Sequence, residues 1–155
     1  MHKTENLRDL MTGWRHDFHR HPELEFDLGH TAARVADLLQ GFGLEVHTGI
    51  GQSGVVGVLQ KGNGTRSIAI RADMDALPIT EANGFSHRST NPGKMHACGH
   101  DGHMAMALGA AKYLAEAGNF SVRVMFVFQP NEEFGEGAAA MIADGLFDRF
   151  PVDEV

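Results

Sequence analysis

Val122-Arg123-Val124-Met125-Phe126-Val127-Phe128 is apolar at every position but one and reads as a buried strand. Such a strand belongs inside a sheet covered by helices, which already favours an α/β architecture. It runs straight into Gln129-Pro130-Asn131-Glu132-Glu133-Phe134-Gly135-Glu136-Gly137, so two adjacent carboxylates stand at the strand's C-terminal end. That is where open α/β sheets bind ligands. Neighbouring side chains there can point differently: one Glu can hold a metal ion while the other handles a proton, as metal-assisted hydrolysis requires. Taken alone, Glu132-Glu133 reads equally well as a solvated acidic pair.

A second cluster precedes it. Met95-His96-Ala97-Cys98-Gly99-His100-Asp101-Gly102-His103 packs three imidazoles, a thiol and a carboxylate into one short run. Several lone pairs can converge there, as divalent-metal binding requires. Gly99 separates Cys98 from His100, and its permissive backbone can turn both side chains the same way. Met104, Ala107, Leu108, Ala111, Leu114 and Ala115 then fall on one face of a helix. At that helix N-terminus Asp101 is expected to act as cap, and the dipole to favour thiolate over thiol at Cys98. As an isolated residue, Cys98 is as readily a buried small hydrophobe.

The other elements follow from spacing and chain breakers. A helix is expected over 6–19, with Leu7, Leu10, Met11, Trp14 and Phe18 inward and Pro22 stopping it. His16, His19 and His21 near its end read as a polar face or as partners of terminal carbonyls. A second helix over 28–40 ends at Gly41-Phe42-Gly43. Strands are expected at 45–47, 54–60 and 67–72, with a turn at 61–64 between the last two. Residues 80–94 read as a long loop leading into the histidine cluster. Helices over 102–117 and 136–144 complete a βαβα order, which implies a three-layer, largely parallel sheet flanked by helices.

The 155 residues suggest one domain, and 43% hydrophobic composition is enough for a core. A net charge of -7 leaves no basic stripe for phosphates, so no nucleic-acid partner is expected. One cysteine cannot form an internal disulfide, the start lacks an apolar signal core, and no run approaches membrane-spanning length. A cytoplasmic protein with no membrane partner is the expectation.

Four segments acquire a joint meaning: Arg15-His16-Asp17-Phe18-His19-Arg20-His21-Pro22-Glu23-Leu24, Ile70-Arg71-Ala72-Asp73-Met74-Asp75-Ala76-Leu77-Pro78, Met95 to His103, and Phe128-Gln129-Pro130-Asn131-Glu132-Glu133. In this order they resemble the N-terminal part of an M20 family metallopeptidase. The resemblance is to the amidohydrolase branch: hippurate hydrolases, N-acyl-L-amino acid amidohydrolases and indole-acetyl amino acid hydrolases. It implies a partial zinc-peptidase-like catalytic domain over 1–155, without the smaller dimerisation and lid domain or the C-terminal part of the catalytic domain.

The resemblance also implies roles. Cys98, His100 and Glu133 would be metal ligands and Glu132 the catalytic base. Other branches carry a His where Arg71 stands, oriented by the Asp two residues on; Asp73 is therefore expected to support ligands from behind or, as an ordinary strand-end acid, to cap a loop. Asp75 has no preferred role, and His96 and His103 are expected to pack or to orient ligands. The implied cofactors are two divalent metal ions, Mn, Zn, Co or Ni. The implied activity is hydrolysis of the amide bond of small N-acyl amino acids by metal-activated water, in a family whose full-length members are homo-oligomers. The alternative is a truncated, non-catalytic metal- or partner-binding fragment, since further ligating histidines are expected beyond Val152-Asp153-Glu154-Val155. Neither His-Glu-x-x-His nor Pro-Cys-x-x-Cys occurs, which argues against other hydrolytic metalloenzymes.

Overall fold

Apolar spacing and chain breakers set where the elements begin and end. The computed structural model describes the backbone of residues 2–155 and the side chains from residue 6 onward. Helix α1 (His2–Arg20) buries Trp14 and Phe18 and stops just before Pro22. Helix α2 (Gly29–Gly41) buries Thr31, Val35, Ala36 and Leu39. Its end is closed by two hydrogen bonds, Gly43 N–H to the Gln40 carbonyl at 2.9 Å and Leu44 N–H to the Leu39 carbonyl at 3.1 Å. The Schellman geometry needs a left-handed residue, and Gly43 supplies it at φ 87°.

Strands β1 (Glu45–Ile50), β2 (Gly54–Gln60), β3 (Ser67–Asp73) and β4 (Arg123–Gln129) form one sheet in the order β1-β2-β4-β3. The α/β class holds, but the expectation of a largely parallel sheet is corrected: the sheet is mixed. β1–β2 and β2–β4 pair antiparallel, and β3–β4 pairs parallel. Residues 51–53 are too short a link for anything but a hairpin between β1 and β2. The turn expected between β2 and β3 does not make them neighbours, because β4 takes the place between them. Parallel pairing occurs where helices make the connection. Helix α3 (His100–Ala117) carries the chain from β3 to β4. Helices α4 (Gly137–Ala143) and α5 (Leu146–Arg149) carry it on to Glu154, which bridges Ile68 in parallel.

Each face of the sheet is covered, giving the three layers. Val124, Phe126 and Phe128 of β4 pack with Trp14, Phe18, Leu39, Met104 and Leu108 from α1 to α3. The alternate residues Met125 and Val127 face Met141, Leu146 and Phe150 on the other side. β4 thus supplies both cores, which explains its unbroken apolar run. No helix among the described residues is long and apolar enough to cross a membrane. The parallel pair β3–β4 ends in register, Asp73 beside Gln129, and α3 begins close by.

Candidate metal centre

Three segments meet beyond those strand ends: Met74-Asp75 after β3, Asn131-Glu132-Glu133 after β4, and Cys98-Gly99-His100 entering α3. Gly99 is left-handed, at φ 90°. Cys98 Sγ, a His100 ring nitrogen and a Glu133 carboxylate oxygen lie within 4.8 Å of one another. The two residues flanking Gly99 therefore reach one point, as their spacing suggested.

The His100 ring is oriented by a carbonyl. Its Nδ1–H donates to the Asp75 backbone oxygen at 2.7 Å. A carbonyl can only accept, so the hydrogen sits on Nδ1, and Nε2 is the nitrogen left to meet a cation. Around Nε2 stand Glu132 Oε2 at 3.5 Å, Glu133 Oε1 at 3.7 Å and Asp73 Oδ1 at 3.7 Å. Glu133 Oε1 is buried without a hydrogen-bond partner. An imidazole lone pair, a thiol and an orphaned carboxylate oxygen turned to one point suit a divalent cation.

The two glutamates differ in exposure, 39% for the Glu132 side chain against 15% for Glu133. Their N–H groups converge instead: Glu132 donates to Asp75 Oδ1 at 2.9 Å and Glu133 to Asp75 Oδ2 at 3.1 Å. Burial raises the Asp75 carboxyl, but the His100 ring and these two amides outweigh it and hold it below the usual range. For His100, burial favours the neutral ring, yet the hydrogen bond with Asp75 and the charge of Asp73 leave it raised overall. Asp75, for which the sequence offered no preferred role, thus touches every segment of the site.

Asp73, His100 and His103 form a second potential ligand group within 4.8 Å. His103 Nδ1 bonds Asp73 Oδ1 at 2.7 Å, and Arg71 Nη1 donates to Asp73 Oδ2 at 2.8 Å while its Nε reaches Gln129 Oε1 at 2.9 Å. Because His100 Nδ1 is committed to Asp75, both groups draw on the single nitrogen Nε2.

Two sequence expectations are corrected. Asp101 does not cap α3: the cap residue is Gly99, with no side-chain cap bond. Asp101 instead lies buried and receives His19 Nδ1 at 2.8 Å and Arg15 Nε at 3.2 Å. Nor is Cys98 held as thiolate. Desolvation, the hydrogen bond with Glu133 and the charges of Glu133, Glu132 and Asp73 push the exposed thiol up, overriding the helix end. His96 is buried with neither ring nitrogen bonded. Just past the end of α1, His21 Nδ1 donates to the Asp17 carbonyl at 2.9 Å, and within the helix His16 stacks on His87. Missed altogether was Glu81, which receives His19 Nε2 at 3.1 Å; nothing local marks an acid inside a long loop as a helix partner.

A mixed α/β sheet with thiol, imidazole and carboxylates gathered where its parallel strands end defines a metallohydrolase-like scaffold. The sequence profile of peptidase family M20/M25/M40 matches residues 69–155, and the chain belongs to that family. It is 52% identical over 141 residues to hippurate hydrolase of Campylobacter jejuni, covering 91% of this chain and 37% of that enzyme. It superposes on a dinuclear metal-binding M20 peptidase of Bacillus subtilis with a TM-score of 0.88 at 34% identity, covering 93% of this chain and 41% of that one. Against aminobenzoyl-glutamate utilization protein from Klebsiella pneumoniae the TM-score is 0.73 at 29% identity, over 94% and 43% of the two chains. The chain therefore spans about two fifths of the length of these relatives.

Proposed function

We propose that these residues form the N-terminal part of the catalytic domain of a metal-dependent amidohydrolase that cleaves small N-acyl amino acids of the hippurate kind. The observation that carries the reading is the convergence of Cys98, His100 and Glu133 within 4.8 Å, with the more exposed Glu132 beside them. Similarity to a hippurate hydrolase supports the substrate class, and a dinuclear relative supports two ions. Cys98, His100 and Glu133 would hold the metal, whose charge, when present, polarises the scissile carbonyl and makes water easier to deprotonate. Glu132 would take the proton from the attacking water and return it to the departing amine. Asp73 would anchor His103 at the edge of the site. A lone exposed thiol that must work as a ligand suits a reducing compartment such as the cytoplasm.

A second reading is favoured by one observation: the two ligand groups share His100 Nε2, so the described residues cannot fill both at once. On that reading the 155 residues bind one ion and do not turn over substrate. N-benzoylglycine hydrolysis by the chain reconstituted with Mn, Zn or Co decides. The amidohydrolase reading expects metal-dependent turnover that falls at least about 100-fold in Glu132→Gln while metal binding persists. Metal binding without turnover supports the second reading, and failure to bind any divalent ion overturns both.

A further inference from the structure

We propose that Asp75 is the positioning residue on which the metal-holding group is assembled; the inference rests on reading Cys98, His100 and Glu133 as that group. Three hydrogen bonds radiate from this one residue. Its carboxylate takes the consecutive N–H groups of Glu132 and Glu133, one on each oxygen. Its backbone carbonyl takes Nδ1–H of His100. The first two bonds make a rigid platform of the peptide units from which Glu132 and Glu133 project. The third selects the tautomer that leaves Nε2 free for a cation.

The platform is itself held. Met74 N–H donates to the Gln129 carbonyl at 2.9 Å, and Ala76 N–H to the Glu23 carbonyl at 2.8 Å. Asp75 is thus pinned through both neighbours, one bond reaching β4 and the other the segment between α1 and α2. Its side chain is fully enclosed, so water does not compete for these contacts. Asp73 does not duplicate this role: its oxygens go to Arg71 and His103. Asp75 therefore ties the α3 entrance to the end of β4, and neither half of the ligand set keeps its geometry without it.

The test uses the full 155-residue chain with cobalt(II) as probe. Wild type is expected to bind it with a thiolate-to-cobalt absorption band that Cys98→Ser abolishes. Asp75→Asn keeps one acceptor oxygen but turns an NH2 group toward an amide N–H; it should weaken cobalt binding about 10- to 100-fold while retaining the band. Met141→Ala, in the core on the far side of the sheet, should lower stability without changing affinity. Independently, NMR of the metal-free wild type, at a pH high enough for the His100 ring to be neutral, should find the Nδ1–H tautomer there and slowly exchanging amides at Glu132 and Glu133. Cobalt binding by Asp75→Asn as tight as wild type, or a neutral wild-type His100 ring with its one hydrogen on Nε2, overturns the inference. If wild type lacks the thiolate band, the ligand reading fails instead, and the tautomer and amide signals decide on Asp75 alone, as they do if Asp75→Asn does not fold.

Discussion

His19 Nδ1 meets Asp101 Oδ2 at 2.8 Å across 82 positions of sequence, fastening the last turn of α1 to the first turn of α3. Arg15 adds a second donor to the same oxygen. Removing the acceptor leaves the buried His19 Nδ1–H without its partner, so Asp101→Ala should cost about 3 kcal/mol in urea unfolding. A loss under about 1 kcal/mol would place this contact with ordinary surface ion pairs.

His96 makes the fold acid-sensitive. Burial holds its imidazole down to about 4 from 6.5, with His100 and His19 adding to the effect against the pull of Asp101. As pH falls below 6.5 the unfolded chain takes up a proton that the folded chain refuses, so stability declines until about pH 4 and the deficit is constant below that. Above 6.5 the contribution vanishes. Between about pH 7 and pH 4 the wild type should lose about 3 kcal/mol more than His96→Gln, measured by denaturant titration of the metal-free proteins.

The raised thiol of Cys98 predicts how metal affinity tracks pH. Binding as thiolate releases a proton, so affinity should rise about tenfold per pH unit from Cys98 alone, through neutrality and beyond the ordinary thiol range. Calorimetric titration with zinc at two pH values checks this. Cys98→Ser should remove about one power of ten from the slope.

Two glycines near the site should fail differently. At Gly99 nothing lies within 4 Å of an added Cβ, and only the left-handed backbone at φ 90° opposes it. Gly99→Ala should cost about 1–2 kcal/mol and leave a folded chain. At Gly137 an added Cβ collides with the Pro130 carbonyl oxygen, so the loop carrying Glu132 and Glu133 must move. Gly137→Ala should weaken metal binding beyond its effect on stability, which parallel calorimetry and unfolding curves will separate.

Elements defined by near neighbours were legible in the sequence. The α2 stop at Gly43, the β4 run and the turn at Gly99 each follow from a few adjacent residues. Whatever depends on distant partners was not. The dipole argument for a Cys98 thiolate considered one helix end and not the carboxylates that β3 and β4 deliver beside it. Asp101 looked like a cap because its spacing suits one, while its partners Arg15 and His19 lie on α1. The sheet was read as largely parallel from element order, which does not reveal that β4 inserts next to β2. Asp75 had no local signature at all, since two of the three groups it holds are backbone amides beyond β4.

The crossover through α3 also sets when the site can exist. Asp75 and Glu132 are 57 positions apart, and the parallel ladder that aligns them closes only once β4 is in place. Such long-range closure carries its entropic cost before its contacts form, so it belongs to the slow stage of folding. A chain emerging during synthesis would therefore display the Cys98 thiol and the histidines first and bring Glu133 to them only once β4 has emerged. Before that point the donors are scattered along the chain, while afterwards Cys98, His100 and Glu133 stand within 4.8 Å of one another.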